Sequence, residues 1–202
     1  MRLNYRQRQL RMREVAESAW EEIETVPGTV RDRVKHVPRM PVELVACPLG
    51  KDVNQGGLLR LAEAFRLEMV TFSQEEDEAT DFSGHRGSVK WQPHRWRPAI
   101  EAVQEVPGRQ KVALTLTDTA VNFQEFDYQF PLALVVGSEA DGVPEDVLDL
   151  CDACVAIPMY GLMGSLNVAT ATAIVLQHIV STYANQAGIL PVRDESLRLL
   201  NQ

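Results

Sequence analysis

The chain has 202 residues, 45% hydrophobic and 24% charged, with 12 glycines and 11 prolines. That is the composition of a compact globular domain, and it excludes disordered, collagen-like and fibrous chains. Twenty basic against 28 acidic residues give a formal charge of −8, which argues against a protein that binds nucleic acid over its whole surface. The charge is unevenly placed. Residues 1–111 hold 18 of the 20 basic residues with 17 acids, whereas residues 112–202 hold 2 bases and 11 acids, and 112–192 contain no Lys or Arg. A polyanion would therefore have to meet the first half. Three cysteines, an Arg-rich start without the apolar core of a signal peptide, and no apolar run of about 20 residues predict a reduced, soluble, cytoplasmic protein without a membrane span.

Residues 2–24 read as a helix with Arg2, Arg6, Arg8, Arg11 and Arg13 first and Glu14, Glu17, Glu21, Glu22 and Glu24 after. This order opposes the helix macrodipole, so the segment is either a solvated helix held by packing or an arm facing a polyanion. Pro27-Gly28, Pro38 and Pro41 punctuate a loop before the first strand. Strands are then predicted at 43–46, 68–72, 111–116, 132–136 and 153–157, with helices at 54–66, 97–105, 144–150 and 165–184. Runs such as Leu132-Ala133-Leu134-Val135-Val136 lack polar alternation, as strands covered on both faces do. The predicted fold is α/β, a mostly parallel sheet with helices on both faces. In such sheets ligands sit beyond the carboxyl ends of the strands. The acidic stretch 74–81 reads as a solvated loop. The cluster His85-Arg86-Gly87-Ser88-Val89-Lys90-Trp91 and His94-Arg95-Trp96-Arg97 interleaves cations with aromatics. That pattern suits phosphate contact and base stacking, although Trp91 and Trp96 are equally readable as core anchors.

Three segments carry the chemistry. Asn54-Gln55-Gly56-Gly57-Leu58-Leu59-Arg60 opens a helix. Asn54 suits the N-cap, the glycines allow close backbone approach, and Leu58, Leu61, Ala62 and Phe65 form the buried stripe. Arg60, rotated about 200° from Leu58, points to the loop ends or to solvent, where pairing with Glu63 is the plainer alternative. Gly137-Ser138-Glu139-Ala140-Asp141-Gly142 follows a buried strand, with Glu139 near its carboxyl end. The turn lacks the third glycine of the dinucleotide fingerprint. The third segment runs from Ile157-Pro158 to Ser165-Leu166-Asn167-Val168. Ser165 is placed to cap the last helix, and Asn167 brings an amide to its first turn.

In this order and at these separations the three segments closely resemble the signature motifs of the SpoU/TrmH family of SPOUT-class RNA ribose 2′-O-methyltransferases. The resemblance spans about residues 42–184 and implies a C-terminal deep trefoil knot in about 132–184, S-adenosylmethionine as methyl donor, and a homodimer. Around this domain stand an Arg-rich extension at 1–41 and a short one at 185–202. By carry-over, Arg60 acts at the ribose hydroxyl, with Asn54, Glu139, Ser165 and Asn167 as the orienting polar shell. Gly137, Ile157 and Leu166 line the adenosine site, with Leu114 and Thr115 as neighbours. A guanidinium stays protonated in proteins, so an RNA phosphate is the alternative proton acceptor. Leu61 stands where the family often has a small hydroxyl residue, and Gln177 where it often has Glu.

The compact architecture, without an additional N-terminal RNA-binding domain, resembles the tRNA-modifying members rather than the rRNA ones. RNA contacts are expected from Arg6, Arg8, Arg11, Arg13, Arg86, Lys90, Arg95 and Arg97. Cys151-Asp152-Ala153-Cys154 lacks the further ligands zinc needs, and no metal is expected. A non-catalytic RNA-binding module, an rRNA enzyme and a nucleotide-dependent oxidoreductase are the rival readings.

Overall fold

The computed structural model describes residues 39–49, 52–73, 84–106, 108–138 and 141–187. The expected N-terminal helix with Arg6, Arg8, Arg11 and Arg13, the acidic loop 74–81, Glu139 and the segment 188–202 lie outside the described residues. Arg39–Val180 form one compact unit.

The elements of this unit are β1 (Met40–Ala46), α1 (Asp52–Ala64), β2 (Leu67–Phe72), a single 3-10 turn (Ser88–Lys90), β3 (His94–Trp96), α2 (Ala99–Gln104), β4 (Gln110–Leu114), β5 (Val121–Asn122), β6 (Leu132–Val136), α3 (Glu145–Leu148), β7 (Ala153–Ala156) and α4 (Val168–Ala187), which runs on to its end at Ala187. All seven strands join one sheet in the order β3-β2-β1-β6-β4-β7-β5, and every pairing is parallel.

Successive side chains of a strand point to opposite faces, and the two cores separate accordingly. Val42, Leu44 and Ala46 of β1, with Leu132, Leu134 and Val136 of β6, pack with Leu58, Leu59 and Ala62 of α1 and Val175, Leu176 and Ile179 of α4. On the other face Val45, Ala113 and Val135 pack with Ala102 and Val103 of α2 and Val147 of α3. Each fully buried leucine or valine contributes about 1.5–3 kcal/mol relative to exposure.

Within the described residues the five expected strands and four expected helices are present, most with shifted ends. The strand expected at 111–116 stops at Leu114, freeing Thr115 and Leu116 for a loop. The last helix begins at Val168 rather than at 165. β3 and β5, of three and two residues, were not anticipated, because so short a run displays no period. The register aligns the strand ends: Ala46 pairs with Val136, and Val136 with Leu114. The carboxyl ends of β1, β6 and β4 therefore form one level edge. Among the described residues no helix is long and apolar enough to cross a membrane.

Candidate active site

Beyond the carboxyl ends of β4, β6 and β7 lies a pocket of about 330 Å³. Its wall comes from Leu114, Thr115 and Leu116 after β4, Val136, Gly137, Ser138, Asp141 and Gly142 after β6, Ala156, Ile157 and Met159 after β7, and Ser165, Leu166, Val168 and Ala171 at the start of α4. All five residues expected to hold the cofactor, Gly137, Ile157, Leu166, Leu114 and Thr115, are in this wall. Only a side-chain-free residue fits at 137, since a Cβ there would fall on the backbone of Gly142 and Val143. Ser138 and Gly142 exchange two backbone hydrogen bonds of 3.1 Å. They pinch the turn shut, and Gly142 takes the required left-handed φ of 69°.

The two asparagines meet across the chain. Asn167 Nδ2 donates to Asn54 Oδ1 at 3.0 Å, joining the first turn of α1 to the start of α4. Close approach of the two helices is possible because position 57 is glycine, where a Cβ would stand 3.3 Å from that of Ala169. Two sequence assignments are corrected here. The residue capping α4 is Asn167, whose Oδ1 accepts from the backbone N–H of Ala169 at 3.0 Å and of Thr170 at 3.3 Å. Ser165 lies two residues earlier, exposed at the pocket wall. Asn54 is not the N-cap of α1 either, because the helix starts at Asp52; it is buried inside the first turn.

Arg60 is exposed on α1, opposite the buried Leu58, Leu59 and Ala62. Among the described residues its guanidinium makes no hydrogen bond or ion pair, Glu63 included. Asp141, assigned no role from the sequence alone, also lines the pocket; its charge two positions after Glu139 in the sequence was the signal for it.

The basic and aromatic cluster divides in two. Arg86 and Lys90 are exposed. The turn that carries them is held by a hydrogen bond from the Ser88 hydroxyl to the His85 carbonyl at 2.7 Å and by one from Gly87 N–H to His85 Nδ1 at 2.8 Å. Arg95 departs from the expectation of a free RNA contact. It donates to Thr71 Oγ1 at 2.9 Å, to Glu43 Oε1 at 3.1 Å and to Glu105 Oε2 at 3.3 Å. Glu43 is only 4% exposed, and Arg109 reaches it from the other side at 3.9 Å while pairing with Glu68 at 2.8 Å. Arg97 is also engaged, with Glu105 at 3.4 Å and the Trp96 carbonyl at 2.8 Å. Arg39 is a staple, donating to the carbonyls of Leu67 and Trp91 and to Gln92 Oε1. Trp96 packs on the core beside Phe72, whereas Trp91 is 37% exposed.

All three cysteines are free. Burial raises the Cys47 and Cys151 thiols to about 12, which keeps them protonated and unreactive at neutral pH. Among the described residues no cluster of three or more potential ligands could hold a metal ion.

The wall just described coincides with sequence relationships. Residues 41–177 match the SpoU rRNA Methylase family. A tRNA (guanosine(18)-2′-O)-methyltransferase from Escherichia coli K12 is 31% identical over 174 residues, covering 80% of this chain and 76% of that protein. The enzyme of the same name from Aquifex aeolicus is 48% identical over 69 residues, 34% of this chain; that stretch spans only about a third, 33%, of the relative's length. Among solved structures, the A. aeolicus TrmH/SpoU tRNA modifying enzyme superimposes with a TM-score of 0.72 at 25% identity, covering 92% of this chain and 94% of that one. With a family match over most of its length, and with two of the matched segments lining one pocket and the first tied to it through Asn54 and Asn167, the chain belongs to the SpoU methylase family.

Proposed function

We propose that this protein transfers a methyl group from S-adenosylmethionine to a ribose 2′-hydroxyl of tRNA. The observation that carries this reading is the convergence of three separated segments at one sheet edge, tied by the hydrogen bond from Asn167 to Asn54. The pocket fits the donor. Its volume falls within the range of about 300–1,000 Å³ typical of small-molecule sites, and its wall combines apolar side chains with loop backbone able to bond a purine ring. Gly137, Ile157, Leu166, Leu114 and Thr115 would hold the adenosine.

When bound, S-adenosylmethionine supplies a methyl group on a positively charged sulfur, open to in-line attack by the ribose oxygen. Arg60 provides a planar fork of donors for the ribose and its neighbouring phosphate, a positioning contribution to the rate. Its guanidinium remains protonated, so the hydroxyl proton passes to an RNA phosphate. Asn167 fixes the amide of Asn54; Ser165 and Glu139 complete the polar shell. Arg86 and Lys90, with the arm residues Arg6, Arg8, Arg11 and Arg13, carry the RNA phosphates, and Trp91 offers a face for stacking.

The same reading includes a domain at 42–184 flanked by extensions at 1–41 and 185–202, a trefoil knot in about 132–184, a cytoplasmic location and a homodimer. Tyr160, Leu162 and Met163, all strongly solvent-exposed in the chain segment between Met159 and Ser165 of the pocket wall, support the dimer, because apolar side chains so placed are suited to a partner surface. The shared name of the two relatives makes guanosine 18 the first position to test.

The test is transfer of labelled methyl from S-adenosylmethionine to bulk tRNA and to rRNA, followed by nucleoside analysis. Label is expected in a 2′-O-methylated nucleoside of tRNA. Label in a base rejects the reaction type, and label confined to rRNA rejects the substrate. Arg60→Ala is expected to lower single-turnover transfer by about 100-fold or more with donor affinity unchanged.

A further inference from the structure

The pocket wall is drawn entirely from residues 114–171, a stretch with nine acids and no Lys or Arg. Among the described lining residues Asp141 is the only charged one. Its backbone N–H donates to Ser138 Oγ at 3.0 Å, and Ser138 Oγ lies 3.5 Å from Asp141 Oδ2. Together with the paired backbone bonds of Ser138 and Gly142, these contacts hold the carboxylate in the wall. Among the described residues no cation pairs with it, so its charge acts on whatever occupies the pocket.

We infer that Asp141 is a specificity residue that selects the pocket's ligand by charge, favouring the cationic methyl donor over its neutral product. The inference rests on the proposed identity of the donor. S-adenosylmethionine and S-adenosylhomocysteine share an ammonium, a carboxylate and an adenosine, and differ at sulfur: a sulfonium before transfer, a thioether after it. An anion that is the one charge among the described wall residues attracts the two by different amounts, because only the donor carries the extra positive charge. Methyl transfer itself removes that charge, and with it part of what holds the nucleoside in place. Asp141 thereby eases product release and counters product inhibition. The acidic pocket also disfavours entry of RNA phosphate into the donor site.

Calorimetric titration with S-adenosylmethionine, S-adenosylhomocysteine and sinefungin tests this. Sinefungin carries an amine in place of the methylsulfonium and so has the charge without a transferable methyl. In Asp141→Asn, which keeps the polar contact to Ser138, the dissociation constants for the donor and for sinefungin are expected to rise about three- to tenfold, with that for the product changing less than about twofold. Asp141→Glu is expected to retain the wild-type preference. Equal weakening of all three ligands, or no change in any, overturns the inference and reduces Asp141 to a turn residue. Wild-type protein that binds none of the three overturns the donor reading itself, and this inference with it.

Discussion

On the two sides of strand β1 the sheet treats charge in opposite ways. On the β2 and β3 side, Glu43, Arg95, Arg109, Glu68 and Glu105 neutralise one another in a half-buried network, and Arg39 spends its donors on carbonyls. On the β6, β4 and β7 side, the described residues of the pocket wall are mostly apolar or backbone-lined, with one acid, Asp141, that no described cation pairs. The first half holds 18 of the 20 basic residues, nearly balanced by 17 acids, and several of the described ones are engaged internally. On the acidic second side the one charge among the described wall residues has no described cation beside it. What a ligand meets is therefore the charge left over after internal pairing, and on the first side that remainder includes Arg60, Arg86 and Lys90.

The largest expected effect breaks the pocket side. Gly137→Ala places a methyl on the backbone of Gly142 and Val143, where no side chain can move aside. A cost of about 3 kcal/mol, the upper end for overpacking, lowers the melting temperature by roughly 6–12 °C in a chain of this size. Calorimetry should show donor binding lost together with that drop.

A smaller pair of effects sharpens the contrast on the other side. Arg95→Ala removes hydrogen bonds to the buried Glu43 and is expected to cost about 2 kcal/mol, with the salt dependence of tRNA binding unchanged. The double variant Arg86→Ala with Lys90→Ala should do the reverse. Its stability stays within about 0.5 kcal/mol of wild type, while the slope of log affinity against log salt falls by about 1.5. Denaturant melts and filter binding at several salt concentrations separate the two; equal salt slopes would place Arg95 among the RNA contacts after all.

The smallest effect concerns the thiols behind the pocket. Burial pushes the Cys47 thiol up from its ordinary value of 9.0, which the unfolded chain keeps, to about 12 in the folded one. The unfolded state therefore loses its proton first, and stability declines as pH rises from about 9 towards 12, with no contribution at lower pH. Urea melts at pH 8 and pH 10 measure this, and iodoacetamide at pH 8 should leave the native thiol of Cys47 unmodified.

Much of the pocket was legible because its residues lie in short contiguous segments. Gly137, Ile157 and Leu166 could be carried over one by one, and the strand before each segment was a plain apolar run. Capping was harder: Ser165 and Asn167 are both good caps two residues apart, and only the bonds from Ala169 and Thr170 decide between them. The role of Arg95 was only partly visible in its neighbourhood: Glu105 is 10 residues away, but the buried carboxylate of Glu43 is 52 away. β3 and β5 were missed because two or three residues carry no alternation.

The bond between Asn54 and Asn167 spans 113 positions of the chain, and that separation governs when the site comes into being. Contacts of such high order form late, after loop closure has been overcome. A chain emerging from the ribosome can complete β1 and α1 early, but Asn54 lacks this partner until the start of α4 has been made and has docked. Assembly of the proposed catalytic centre is thus coupled to nearly complete synthesis of the domain, and fragments ending before α4 are expected to be inert even where their strands have folded.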